Sequence, residues 1–211
     1  MKLFLTSAGM RMKHEIESFV APLEGAPHVL HIITASVPES DWHYVDGDRV
    51  VMEQMGWIVE EYDLAGKTQD ETVRALERSR IIYVQGGNTY YLMKYIRESG
   101  FDVAVKSFLE KGGIYIGVSA GSIVAGKDIG HSGLGVGGDK NIVDLKDMRG
   151  MGLVDLTITP HYEPAEEEQI AEYERQHGVM STRLTDDEAV LVQDGHVEVI
   201  KTHNSFLRLS T

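Results

Sequence analysis

The sequence predicts an α/β protein whose sheet is mostly parallel, flanked by helices on both faces and extended by antiparallel strands at its carboxyl end. Short apolar runs alternate with amphipathic helical patterns through the first half of the chain, the rhythm of a parallel sheet. Two of those runs, IIYVQGG (81–87) and GIYIGVS (113–119), are apolar without alternation, as strands covered on both sides are. Beyond residue 150 the spacing shortens, and AVLVQDG and HVEVIKT make a hairpin pattern around Gln193-Asp194-Gly195.

Taken in order, KLFLTS (2–7) reads as the first strand. HVLHIITAS (28–36), rich in branched residues, reads as the second, and WIVEEYDL (57–64) as a less buried third. The fourth and fifth are the two apolar runs. Helices are expected over MKHEIESFVAPL, WHYVDGDRVVMEQMG, DETVRALERS, TYYLMKYIRESG and DVAVKSFLEKG, several closing on glycine. DLTITPHY, AVLVQDG and HVEVIKT supply the late strands, expected to extend the sheet in antiparallel fashion. In such a sheet ligands sit beyond the carboxyl ends of the strands, so the loops at Gly86, Ser119 and His161 should open on one edge.

With no repeat and no linker rich in Pro, Gly or Ser, the 211 residues are expected to form one domain, 1–211. Twenty basic residues against 33 acidic give a formal charge of -13, which argues against nucleic acid or an anionic membrane as partner. No apolar run approaches the roughly 18 residues of a membrane span. The start, MKLFLTSAGMRMKHE, lacks the apolar core and cleavage site of a signal peptide. Cysteine is absent, which excludes a disulfide framework, a thiolate nucleophile and a Cys-based zinc site. A cytoplasmic protein is expected, and a homodimer is left open.

Gly117-Val118-Ser119-Ala120-Gly121 matches G-x-S-x-G in the required context, strand before and helix after. Such a turn holds the serine in a strained backbone conformation and lifts its hydroxyl clear of the sheet, while the glycines avoid collisions with neighbouring strands. A helix starting at Ala120 aims unpaired N–H groups at developing negative charge. Ser119 is therefore the candidate nucleophile, and a serine needs a base. His161, after the strand DLTIT and Pro160, is the best placed, with His131 in HSGLGVGGDKN as its rival. His14, His28, His31, His43 and His177 read as surface or core histidines, and His203 has no supporting motif. Gly86-Gly87-Asn88-Thr89 ends a strand with backbone N–H groups unencumbered by side chains. Gly86 and Gly87, with Ala120, are the expected oxyanion hole, and Asn88 a substrate contact. The spacing fits neither G-x-G-x-x-G nor a Walker motif, so nucleotide binding is not expected.

These three motifs, Gly86-Gly87-Asn88-Thr89, Gly117-Val118-Ser119-Ala120-Gly121-Ser122 and Thr159-Pro160-His161-Tyr162, in this order and spacing, resemble the peptidase E (aspartyl dipeptidase) family, which includes the cyanophycinases. The resemblance spans roughly residues 1–200. It implies a three-layer αβα sandwich similar to class I glutamine amidotransferases (flavodoxin-like), with serine in place of their cysteine, and hydrolysis of short peptides without metal or organic cofactor. It further implies Ser119 as nucleophile, His161 as general base and an acid in the late loop Leu184-Thr185-Asp186-Asp187-Glu188-Ala189. Anchoring that loop on Ala189 puts Asp186 at the acid's position. The family's usual glutamate is one methylene longer, and Asp187 and Glu188 adjoin. An acid soon after the serine, Asp128 or Asp139, ranks lower. Relatives selective for amino-terminal aspartate use an arginine beyond the histidine. Here that region is the acidic helix EPAEEEQIAEYERQ, and Arg175 aligns with no local motif, so a dipeptidase is expected with its preference for amino-terminal aspartate left open. The alternatives are an isopeptidase or esterase using the same serine, and a catalytically silent binding domain on the same scaffold. An α/β-hydrolase esterase runs serine, acid, histidine, whereas here the acid comes last.

Overall fold

In a computed structural model, which describes residues 1–202 apart from Pro22, Glu24 and Val136, seven strands form one sheet in the order β3-β2-β4-β5-β1-β8-β9. The strands are β1 (Lys2–Thr6), β2 (His28–Ile32), β3 (Ile58–Tyr62), β4 (Ile81–Val84), β5 (Ile114–Val118), β8 (Glu188–Gln193) and β9 (His196–Lys201). The first five are parallel; β8 runs antiparallel to β1, and β9 to β8. The hairpin turn places Asp194 and Gly195 both at positive φ, 52° and 82°, the signature of a two-residue turn whose twist matches its strands.

Alternate strand residues enter two cores, one on each face. Leu3, Leu5, Leu30, Ile32, Ile82, Val84 and Tyr115 pack with helices α3 (Gln69–Glu77), α4 (Thr89–Glu98), α5 (Phe101–Glu110) and α6 (Ala120–Ala125). Phe4, Val29, Ile81, Tyr83, Ile114 and Ile116 pack with α1 (Lys13–Val20) and α2 (His43–Gln54). These are the three expected layers. Full burial of β4 and β5 explains their unbroken apolar runs. Each large apolar side chain so buried contributes roughly 1.5–3 kcal/mol. The third strand is half exposed because it is the sheet edge.

Two expectations are corrected. The run HVLHIITAS leaves the strand after Ile32, and Thr34–Ser36 wind into a 3-10 turn held by the Val37 N–H to Thr34 carbonyl bond of 3.2 Å. Nor does DLTITPHY extend the main sheet. Its strand β6 (Thr157–Thr159) pairs in parallel with a short β7 (Ser181–Arg183), forming a separate two-stranded sheet. The run DLTIT is legible as a strand, but the three residues of β7 carry too little pattern to identify them as its partner. The acidic helix α7 (Glu167–His177) joins them and ends at Gly178 in the left-handed region, φ 66°. No helix among the described residues is long and apolar enough to cross a membrane.

Candidate active site

Strands β4, β5 and β1 lie side by side, so their carboxyl ends deliver Gly86, Ser119 and Ser7 to one edge. Strand β8 runs the opposite way with Ala189 opposite Thr6, so the loop that precedes it reaches that same edge. Polarity alone brings Asp186 to the serine.

Ser119 has φ 49° and ψ -111°, a conformation that an L residue adopts only under constraint. Its N–H donates to the Thr6 carbonyl at 3.0 Å, and the Ser122 hydroxyl lies 2.8 Å from the carbonyls of Thr6 and Gly117. Both glycines of the motif are required by packing. A Cβ at Gly121 would lie 2.1 Å from the Val84 carbonyl oxygen, and one at Gly117 2.6 Å from that of Gly121. The turn thus forces the hydroxyl outward.

The Ser119 Oγ is 3.0 Å from His161 Nε2, and His161 Nδ1 is 2.7 Å from Asp186 Oδ1. A carboxylate can only accept, so Nδ1 carries the proton and Nε2 of the neutral ring is left to accept from the hydroxyl. His161 also sits at positive φ, 54°. Its N–H donates to Ser7 Oγ at 2.6 Å, and the Ser7 hydroxyl donates to Asp186 Oδ1 at 3.1 Å. Ser7, fully buried, therefore ties the imidazole's backbone to its carboxylate. Sequence reasoning overlooked it; a serine closing the strand beside the G-x-S-x-G strand was the available signal.

The competing acids are otherwise engaged. Asp187 pairs with Arg11 Nε at 2.7 Å. Glu188 accepts from the Thr185 N–H and hydroxyl at 3.0 and 2.8 Å. Asp128 accepts from the Tyr173 hydroxyl at 2.8 Å, and Asp139 from the Thr89 N–H at 2.8 Å. The rival base, His131, is buried with Nε2 2.8 Å from the Ile158 carbonyl, a structural bond rather than one to the serine. His203 lies outside the described residues.

Two of the four predicted backbone and contact residues do not fit their expected roles. The Gly86 N–H donates to the Gln85 side-chain Oε1 at 2.9 Å, which removes it as an oxyanion donor. What favours glycine at 86 is proximity: a Cβ would sit 3.1 Å from that of Ser119. Asn88 is buried and spent on structure. Its Oδ1 caps α4 by accepting from the Tyr91 N–H at 3.0 Å, and its Nδ2 donates to the Lys140 carbonyl at 3.0 Å. Gly87 and Ala120 remain. The Gly87 N–H has no hydrogen-bond partner among the described residues, and its φ of 127° and a Cβ position 2.3 Å from the Ala35 carbonyl oxygen both demand glycine. Ala120 opens α6, so its N–H lacks a helical acceptor four residues back.

Two cavities meet at Gly87 and Ser119. One of about 520 Å³ is lined by Ser7, Tyr44, Asp48, Gln85 and Gly86, among others, and one of about 540 Å³ by His131, Gly138, Pro160, Glu166 and Gln169, among others. Gly87, Ser119, Asp139 and His161 line both. Arg175 lines neither and pairs with Glu172. Among the described residues no group of three or more His, Cys, Asp or Glu side chains is arranged to hold a metal. A polarised hydroxyl, an oriented imidazole and two unpaired backbone N–H groups between two clefts suit acyl transfer to serine.

Comparison with known proteins agrees with the fold and narrows the class. An uncharacterised peptidase of Listeria monocytogenes is 32% identical over 160 residues, 76% of this chain and 77% of that protein. Peptidase E of Salmonella arizonae is 30% identical over 151 residues, 72% of this chain and 62% of that protein. The crystal structure of a Peptidase E candidate from Listeria monocytogenes superposes with a TM-score of 0.82 at 28% identity, covering 95% of this chain and 98% of that one. A peptidase from an acI-B1 actinobacterium, 18% identical with a TM-score of 0.66 over 95% of this chain and 87% of that one, shares the fold. Residues 3–200 match the family model of Peptidase family S51, and the chain belongs to that family.

Proposed function

We propose that this chain is a serine-type peptidase that hydrolyses short peptides through an acyl-enzyme, with Ser119 as nucleophile, His161 as general base and Asp186 as the acid that orients it. The observation that carries this reading is the continuous chain from the Ser119 hydroxyl through His161 to Asp186, at 3.0 and 2.7 Å, with the serine on a strained turn. His161 Nε2 takes the hydroxyl proton as Oγ attacks the scissile carbonyl. The N–H groups of Gly87 and Ala120 receive the oxyanion, where loss of one donor typically costs about 2.7–4 kcal/mol in the transition state. His161 then gives its proton to the leaving amine, and water attacks the ester by the same route. Asp186 holds the proton on Nδ1 and stabilises the imidazolium.

Two clefts of about 520 and 540 Å³ on either side of the serine have room for a few residues each, which favours a dipeptidase or small-peptide hydrolase over an enzyme for folded protein. The test is Ser119→Ala. Hydrolysis of a dipeptide library should vanish and fluorophosphonate labelling with it, while the melting temperature stays within a few degrees. Retained turnover removes Ser119 from the chemistry.

A further inference from the structure

The geometry points to Asp48 as the residue that receives a cationic group, ammonium or guanidinium, on the amino-terminal residue of the substrate. The inference rests on the peptidase reading of Ser119 and His161, and it names what that site selects.

Asp48 lies on α2, yet its carboxylate is turned into the strand ends beneath the cavity that holds Ser119 and His161. Three neutral donors fix it: the Tyr83 hydroxyl at 2.7 Å and Gln85 Nε2 at 3.0 Å on Oδ2, and the Met10 N–H at 3.1 Å on Oδ1. A carboxylate has about four lone-pair directions, so acceptor capacity remains. A Cβ at Gly9 would lie 2.5 Å from Oδ2, so glycine there leaves this carboxylate its room. Burial pushes the Asp48 carboxyl above its ordinary value, the mark of a charge short of compensation.

Among the described residues the protein supplies no countercharge. Arg49, the next residue, is committed to Asp46, Glu53 and Glu61, and Arg11 to Asp187. No lysine or arginine lines either cavity among the described residues. Glu39, Asp41 and Asp139 line the same cleft, so the potential there is negative from several sides. A substrate cation would complete the arrangement, whereas the carboxylate of an amino-terminal aspartate would meet like charge with no cation among the described lining residues to offset it. Two sources can supply the cation: the free α-amino group or a basic first side chain.

Calorimetric binding to the Ser119→Ala variant separates these possibilities without requiring turnover. The probes are lysyl-leucine, its neutral isostere norleucyl-leucine, aspartyl-leucine and the N-acetylated form of each. Lysyl-leucine should bind about tenfold or more tighter than aspartyl-leucine, because like-charge placement costs on the order of a kcal/mol or more. A gap between lysyl and norleucyl peptides assigns the cation to the side chain; equal affinities with loss on acetylation assign it to the α-ammonium. Adding Asp48→Asn should erase whichever difference is seen while leaving residual binding. Aspartyl-leucine binding as tightly as lysyl-leucine overturns the inference on the unaltered pocket, whether or not the Asp48 variant folds. So does an unchanged order in that variant, or binding by none of the peptides. Selective binding with no hydrolysis by the unmodified enzyme would instead refute the role of Ser119 and leave Asp48 standing.

Discussion

His31 makes stability depend on pH in a way that can be worked from its surroundings. It is fully buried on β2, edge-on to Tyr83 with ring centroids 5.3 Å apart, and neither ring nitrogen has a hydrogen-bond partner among the described residues. Burial, with a smaller contribution from Arg49, pushes its pKa from 6.5 down to about 3. The folded state thus keeps the ring neutral where the unfolded chain protonates it. A depressed folded pKa means that stability is full above 6.5 and is lost as pH falls towards 3. From those two values, the loss between pH 7 and pH 5 is about 2 kcal/mol, growing at roughly 1.4 kcal/mol per unit until the folded ring itself protonates. His31→Leu forfeits no hydrogen bond and abolishes this dependence. Urea unfolding of both proteins at several pH values gives the difference directly, because the other titrating groups cancel. Curves that stay parallel from pH 7 to pH 5 would refute the reasoning, and would mean that water or rearrangement reaches the ring.

Other perturbations address the site. Asp186→Asn should lower kcat by about 10⁴-fold by releasing the ring tautomer, whereas Asp187→Asn, which breaks only an exposed pair with Arg11, should leave steady-state rates within a few-fold. Ser7→Ala takes away the acceptor of the His161 N–H and one donor to Asp186; kcat should fall about 10- to 100-fold with KM little changed, and an unaltered kcat would deny Ser7 a positioning role. Gly86→Ala places a methyl 3.1 Å from the Ser119 Cβ, so activity should drop about 10- to 100-fold with only a small change in melting temperature. Activity unaffected in that variant would show that the serine tolerates displacement.

Much of this arrangement was legible because it is written in local pattern. The unbroken apolar runs marked β4 and β5, and the glycines around Ser119 marked a turn that only small residues allow. The motif after DLTIT singled out His161. The Asp194-Gly195 pair announced the hairpin. Legibility failed where an assignment depended on what a neighbour takes up. Gly86 and Asn88 looked available from their turn, but Gln85 claims the one N–H and the α4 cap claims the other side chain. The partner of β6 is a three-residue strand more than twenty positions later, which no periodicity discloses. Ser7 and Asp48 acquire meaning only when distant segments close over them.

The last residue of β1 and the one beyond it tie together Ser119, His161 and Asp186. The Thr6 carbonyl anchors Ser119, and Ser7 spans 154 residues to His161 and 179 to Asp186. During synthesis, then, Ser7 is made long before either of its partners. A nascent chain that has not yet reached Asp186 would carry the Ser119 hydroxyl and the His161 ring without the carboxylate that Ser7 helps to hold.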